Sequence, residues 1–186
     1  MSSFTNLRLA HSFALLAVPL VACGTDTPDD EPLTCARGTL EPDLGFLSPM
    51  AGPAVDPATG AIAPPPAGGY VVSTTYLALR PEPAAQQRFG ELNGPIGQAL
   101  ATAPGLLAIQ FGSSQSCGTA RTFTIWRDED AMYAYVTGPA HSAAIAAVTE
   151  VSRGGSVATH WITTSTAQMT WEAAAAQLTA FDGRIY

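Results

Sequence analysis

Few side chains in this sequence can do acid–base chemistry near neutral pH. It has three histidines, His11, His141 and His160. His141 follows Gly138-Pro139-Ala140, at the start of an expected helical segment. A helix N-terminus disfavours a positive charge, so it lowers a histidine's pKa and favours neutral imidazole. Such an imidazole could accept a phenolic proton or orient a substrate hydroxyl. The plainer alternative is a structural histidine bonded to a neighbouring backbone group. Trp126 and Trp161 are large, apolar and carry one N–H each. They could wall an aromatic pocket or sit in the core with the N–H satisfied. Tyr76, Tyr133 and Tyr135 add hydroxyls on the same two terms. Strand alternation sends His160 and Trp161 to opposite faces, so they should not share one site.

The three cysteines carry different chemistry. Residues 1–22 read as a secretory leader, with Arg8 as the sole charge and an apolar run from Phe13 to Ala22. That run is far short of the roughly 20 residues a spanning helix needs. Leu20-Val21-Ala22-Cys23 resembles the lipobox of bacterial lipoproteins, which are cut before the cysteine and acylated on its thiol. The resemblance implies a lipid anchor at Cys23, holding the chain to a membrane of the cell envelope. Gly24 stands where an Asp retains enterobacterial lipoproteins at the inner membrane, which points to the outer membrane. With Cys23 acylated, Cys35 and Cys117 remain, and an exported chain sits where disulfides persist. A Cys35–Cys117 bridge is expected, the alternative being two unpaired buried thiols. No His or second Cys stands near either to suggest a metal.

Composition narrows the partners. The chain carries fifteen acids and eight bases, all arginine, for a net charge of −7. Loss of the leader removes Arg8 and no acid, leaving a net charge of −8. With no basic cluster, nucleic acid is not an expected partner.

Residues 23–69 are dense in Pro, Gly, Asp and Thr, and Pro64-Pro65-Pro66-Ala67-Gly68-Gly69 reads as a stiff-then-loose spacer. A tether is expected there, with Leu44, Phe46, Leu47 and Met50 able to pack if Cys35 is bridged. The folded domain is expected over residues 70–186. Val71–Leu79 reads as a strand and Ala84–Ala103 as a helix with the stripe Phe89, Leu92, Ile96, Leu100. Asn93-Gly94-Pro95 should kink or split that helix. Leu106–Phe111 and Thr119–Trp126 read as strands joined through a Gly112–Gly118 turn. Asp128 should cap a helix that breaks at Gly138-Pro139 and continues to about Val151. Ser156–Ser165 is a fourth strand, and Thr170 should cap a last helix, Trp171 to Ala180. The order β-α-β-β-α-β plus a helix is the ferredoxin-like α+β arrangement.

The stretch Thr122-Phe123-Thr124-Ile125-Trp126-Arg127-Asp128, continuing to Gly138-Pro139-Ala140-His141-Ser142, resembles the dimeric α+β barrel superfamily. It is most similar to the antibiotic-biosynthesis-monooxygenase-like proteins. The shared features are an aliphatic-Trp strand end, an Asp cap, an aromatic, and a small-residue–His step. Thr170-Trp171-Glu172-Ala173 looks like the tail of related members, so the resemblance runs from about Tyr70 to Leu178. It implies a homodimer with two sheets face to face and a pocket in each subunit between sheet and helices. It also implies cofactor-independent oxidation of an aromatic or quinone-like molecule, with His141 as base and Trp126, Tyr135 and Trp161 lining the pocket. Haem-cleaving relatives place a Trp and a His where this chain has Tyr135 and Ile145, so that activity is not expected. The competing expectation is an envelope lipoprotein of the same fold that binds a ligand, or serves structurally, without catalysis. Fold does not fix function in such a superfamily.

Overall fold

The computed structural model describes residues 35–180. The expected leader, Cys23 and the acidic run after it lie outside the described residues. Five strands form one antiparallel sheet: β1 Gly45–Phe46, β2 Tyr70–Ala78, β3 Leu106–Ser114, β4 Thr119–Trp126 and β5 Val157–Thr163. Their order is β1-β3-β4-β2-β5. The four long strands therefore have the ferredoxin-like order, and the sheet is open, not closed into a barrel. No described helix is long and apolar enough to cross a membrane.

Helix α1, Pro83–Ala101, connects β2 to β3. It runs through Pro95 as one element and is not split there. Asn93, Gly94 and Pro95 are all exposed, so water can satisfy the carbonyl that the missing N–H leaves free. Between β4 and β5 come α2 Glu129–Val136, α3 Pro139–Ala146 and α4 Val148–Val151. Asp128 caps α2 as its type suggests, accepting from the Ala131 N–H at 2.8 Å. Pro139 starts α3, where its missing donor costs nothing. Helix α5, Trp171–Ala180, is capped by Thr170, whose Oγ1 accepts from the Ala173 N–H at 3.2 Å.

Each sheet face has its own core. On one, Val71 and Trp126 pack with Leu100 of α1 and Ala131 and Met132 of α2. On the other, Val72, Ala108, Phe123 and Ile125 pack with Met169, Trp171 and Ala174. Leu40, Leu44, Met50, Val55 and Ile62 close over this second face. These five belong to the stretch expected to be tether. From Cys35 onward that stretch is a strap fixed to the sheet. β1 pairs with Ser113 and Gly112, Leu47 N–H donates to Phe111 O, and Ala54 N–H donates to Leu107 O. This pairing draws β3 out to Ser114, into what reads in sequence as a turn.

The strap is pinned by polar groups too. Cys35 and Cys117 form a disulfide, 82 residues apart. Glu41 meets Arg121 at 2.8 Å with both side chains excluded from solvent. Thr119 donates to the same carboxylate, while the Arg121 guanidinium donates to Arg37 O and Thr39 O and lies 4.7 Å over the Tyr76 ring. Tyr76 in turn donates to Cys35 O at 2.7 Å. Asp43 accepts from Ser114 and Ser116, which holds its carboxyl at about 2. Gln110 bridges to Ser48 O on the strap and to the Trp171 indole N–H on α5. A second subunit laid face to face on this sheet, as the resemblance implies, would have to displace the strap and α5.

Candidate functional site

Of the base and the three pocket residues that the resemblance implies, three stand in one row. Trp126 ends β4, buried, with its indole N–H donated to Thr124 Oγ1 at 2.9 Å. Thr124 Oγ1 is itself 3.1 Å from Ser73 Oγ, so a hydroxyl pair fixes the indole. The Tyr135 ring, on the last turn of α2, stacks on Trp126 with centroids 5.3 Å apart. His141, two residues into α3 from Pro139, meets the edge of Tyr135 at 5.2 Å. The turn that makes this possible is short. Thr137 Oγ1 donates back to Tyr133 O, and Gly138 lets the chain re-enter helix at Pro139. A side chain at Gly138 would press on Tyr135 O at 3.0 Å.

His141 Nδ1 lies 3.1 Å from Val136 O. A carbonyl oxygen only accepts, so Nδ1 carries the proton and Nε2 keeps its lone pair. Burial pushes the His141 pKa below its ordinary value, and the bond to Val136 offsets only part of that. Burial thus favours the neutral ring. Burial also raises the Tyr135 hydroxyl to about 12, so it remains a phenol.

Tyr135 and His141 form one end of a cleft of about 660 Å³ between the C-terminal turn of α1 and the α2–α3 corner. Its walls are mostly small and apolar: Ala99, Ala103, Pro104, Ala131, Ala134 and Pro139. Arg127 and Asp130 stand among its lining. The Arg127 guanidinium is mostly exposed and donates Nε to Asp128 Oδ2 at 2.7 Å. Gly105, which follows Pro104 of the wall, turns with φ +80°, and a Cβ there would come within 2.6 Å of Ala131 Cβ. The volume and apolar walls suit a small aromatic body. Sequence reasoning missed the α1 contribution, because Ala99 and Ala103 read as an ordinary close-packing face. A smaller hollow of about 340 Å³ lies beside the disulfide. Its Arg153 already donates to Leu79 O and Cys117 O, so it offers less chemistry.

Trp161 is not in the row. It lies on the opposite sheet face against the strap-side core, with its indole N–H buried and unpartnered, as is Thr74 Oγ1. It cannot line the cleft at His141. His160 lies across the strand from it, as alternation requires, with Nε2 3.3 Å from Glu129 Oε1 and 3.5 Å from the Tyr133 hydroxyl. Among the described residues no three His, Cys, Asp or Glu side chains converge on a metal-sized point.

Residues 74–147 match the family of antibiotic biosynthesis monooxygenases (ABM). The match takes in Trp126, Tyr135 and His141 and leaves out the strap, β5 and Trp161. No curated protein matches the chain. Among solved structures it is similar to a proposed monooxygenase from Fusobacterium nucleatum, at 11% identity and TM-score 0.50, over 66% of this chain and 50% of that one. It thus spans about half the length of that protein, and the likeness shows a shared fold. It is also similar to a proposed antibiotic biosynthesis monooxygenase from Caulobacter crescentus, at 20% identity and TM-score 0.45, over 53% of this chain and 92% of that one. SnoaB, a cofactor-independent oxygenase from Streptomyces nogalater, matches at 16% identity and TM-score 0.40, over 52% of this chain and 93% of its own. Residues 74–147 are thus similar to an ABM monooxygenase-like domain, and the strap lies outside the matched residues.

Proposed function

We propose that this chain is an envelope lipoprotein, anchored at Cys23 to the outer membrane, whose ABM-like domain oxidises a small aromatic or quinone-like molecule without a cofactor. One observation carries the catalytic part. His141 is neutral, its Nδ1 proton is committed to Val136 O, and its Nε2 is left as a base at a cleft of aromatic size. A substrate such as an anthrone would give a proton to Nε2 and become an electron-rich anion. That anion can reduce O₂ directly: the CH₂ carbon gains one oxygen as a carbonyl, and the second oxygen leaves as water with both hydrogens. Tyr135, kept as a phenol and stacked on Trp126, would form the wall against which the ring system lies. Trp161 has no part in this proposal.

Oxygen uptake with a panel of anthrones and quinols tests it. Uptake that needs the protein and collapses in His141→Ala is expected. Equal uptake by wild type and variant would remove His141 from the role. Mass analysis of the purified chain checks the anchor, the expected species beginning at an acylated Cys23.

A second reading is a ligand-binding lipoprotein without turnover. It is favoured by the cleft's largely alanine and proline walls, and by the lack of a described carboxylate bonded to His141. It predicts saturable binding of the same aromatics with no oxygen consumed.

A further inference from the structure

Bases are the scarcer charge in this chain, eight against fifteen acids, so a surface arginine has acids to choose from. Arg88, Arg121 and Arg127 each meet a carboxylate. Among the described residues Arg37, Arg80 and Arg153 meet none. Arg37 and Arg153 line one space, the hollow of about 340 Å³ beside the disulfide. Tyr76, Ala78 and the Gly154-Gly155 pair share its lining, and no acid does. The hollow has no residue in common with the His141 cleft. What it offers is charge. Burial and then Glu41 push the Tyr76 hydroxyl pKa up, while Arg121 and Arg153 pull against them. Arg121 lies 4.7 Å over that ring and is neutralised by Glu41. The two arginines of the hollow have no such partner.

The fold holds both arginines in place. Arg153 is tied along one edge, its Nη1 donating to Leu79 O at 3.2 Å and its Nη2 to Cys117 O at 2.7 Å. Of a guanidinium's N–H groups, Nε and the outer hydrogen of each Nη stay unpartnered among the described residues. Gly118 makes room for this arrangement: its φ is +55°, and a Cβ there would stand 3.1 Å from Arg153 Nη1. Arg37 comes from the strap, two residues past Cys35, and its carbonyl accepts from Arg121 at 3.2 Å. The Cys35–Cys117 bridge therefore sets the spacing of both arginines. A Cβ on Gly154 or Gly155 would meet nothing within 4 Å, so that rim is open.

We propose that this hollow binds a phosphate group, free or carried on a lipid headgroup, between Arg37 and Arg153. Two like charges facing one small space repel, and an anion between them turns repulsion into attraction. Phosphate oxygens accept in pairs from planar guanidinium forks. A carboxylate has only two oxygens and would serve one fork. The volume lies at the small end of ligand pockets, enough for the group and a few attached atoms. Because Arg37 belongs to the strap and Arg153 to the turn before β5, the bound group ties one to the other.

The test titrates the full chain, purified in detergent, with inorganic phosphate against chloride at matched ionic strength. Binding is read by calorimetry and by the thermal melt. Saturable heat is expected, with a melt that rises with phosphate. Arg37→Gln should weaken binding about tenfold or more, the loss expected of one charge-assisted contact. Its guanidinium makes no bond among the described residues, so this variant keeps the test open should Arg153→Gln fold poorly. Arg88→Gln, which breaks an ion pair elsewhere on the surface, should leave the affinity unchanged. Glycerol phosphate and phosphatidylglycerol in the same detergent separate the two sources. Competition by the first assigns a soluble ester, and competition by the second alone assigns a headgroup. No saturation, or equal affinity in wild type and Arg37→Gln, would overturn the proposal.

Discussion

Glu41 and Arg121 are 80 residues apart in sequence and joined through both carboxylate oxygens to one guanidinium nitrogen, away from water. The pair is satisfied on every side, by Thr119 on the acid and by two strap carbonyls on the base. Breaking one partner of such a pair strands the other as a buried charge, a cost of about 3–5 kcal/mol. Glu41→Ala is expected to lower the urea midpoint accordingly. Replacing both residues by apolar ones of similar size should recover much of the loss. A Glu41→Ala variant as stable as wild type would mean the strap is not seated as described.

The disulfide should act on the same segment by another route. It closes an 82-residue separation, and disulfides typically stabilise by about 2–4 kcal/mol, more for longer loops, chiefly by restricting the unfolded chain. The Cys35→Ser/Cys117→Ser variant should unfold at lower denaturant with the sheet intact beforehand. Hydrogen exchange would show faster amides over residues 39–55 and little change in β2 or β4.

His141 makes stability depend on pH with a definite sign. Its folded pKa lies below the ordinary 6.5, so between those values the unfolded chain binds a proton that the folded chain does not. Its contribution is complete above 6.5 and declines as pH falls toward the folded pKa. His141→Gln should flatten that slope, read as denaturant midpoints at pH 7.5 and on the acid side. For an active enzyme the same shift keeps the base unprotonated below pH 6.5, and the acid limb of the rate profile should fall there.

Helix α1 carries Gly90, Gly94 and Gly97, and a Cβ at any of them meets nothing within 4 Å. These glycines only loosen the helix. Gly94→Ala is expected to stabilise by about 0.5–1 kcal/mol, seen as a raised melting temperature. A loss would show that α1 needs that freedom, for example to widen the cleft its last turn borders.

The parts legible in the sequence are those decided locally. Asp128 and Thr170 announce their helices because a cap bonds three residues on. His160 and Trp161 separate because a strand alternates. The strap was not legible as one. Leu40, Leu44, Met50, Val55 and Ile62 follow no helical or strand period, since the segment crosses a face and follows an edge in turn. Glu41 gains its meaning only from Arg121, and nothing near it in sequence says so. Trp161 was assigned to the cleft because alternation tells which residues part company, not which side His141 is on. The α1 wall stayed hidden because alanines signal contact and a cleft is a failure of contact.

The strap also orders events in time. It is synthesised before every strand it touches, and its pairing edge on β3 and its ion-pair partner on β4 emerge some 60 to 80 residues later. During that interval it must stay soluble and uncommitted. Its prolines, glycines and scattered apolar residues suit a segment that waits, since they form neither a helix nor a sticky strand alone. Closure of residues 35–62 cannot precede β3 and β4, and the disulfide, whose Cys117 lies between those two strands, can form only once β3 has emerged.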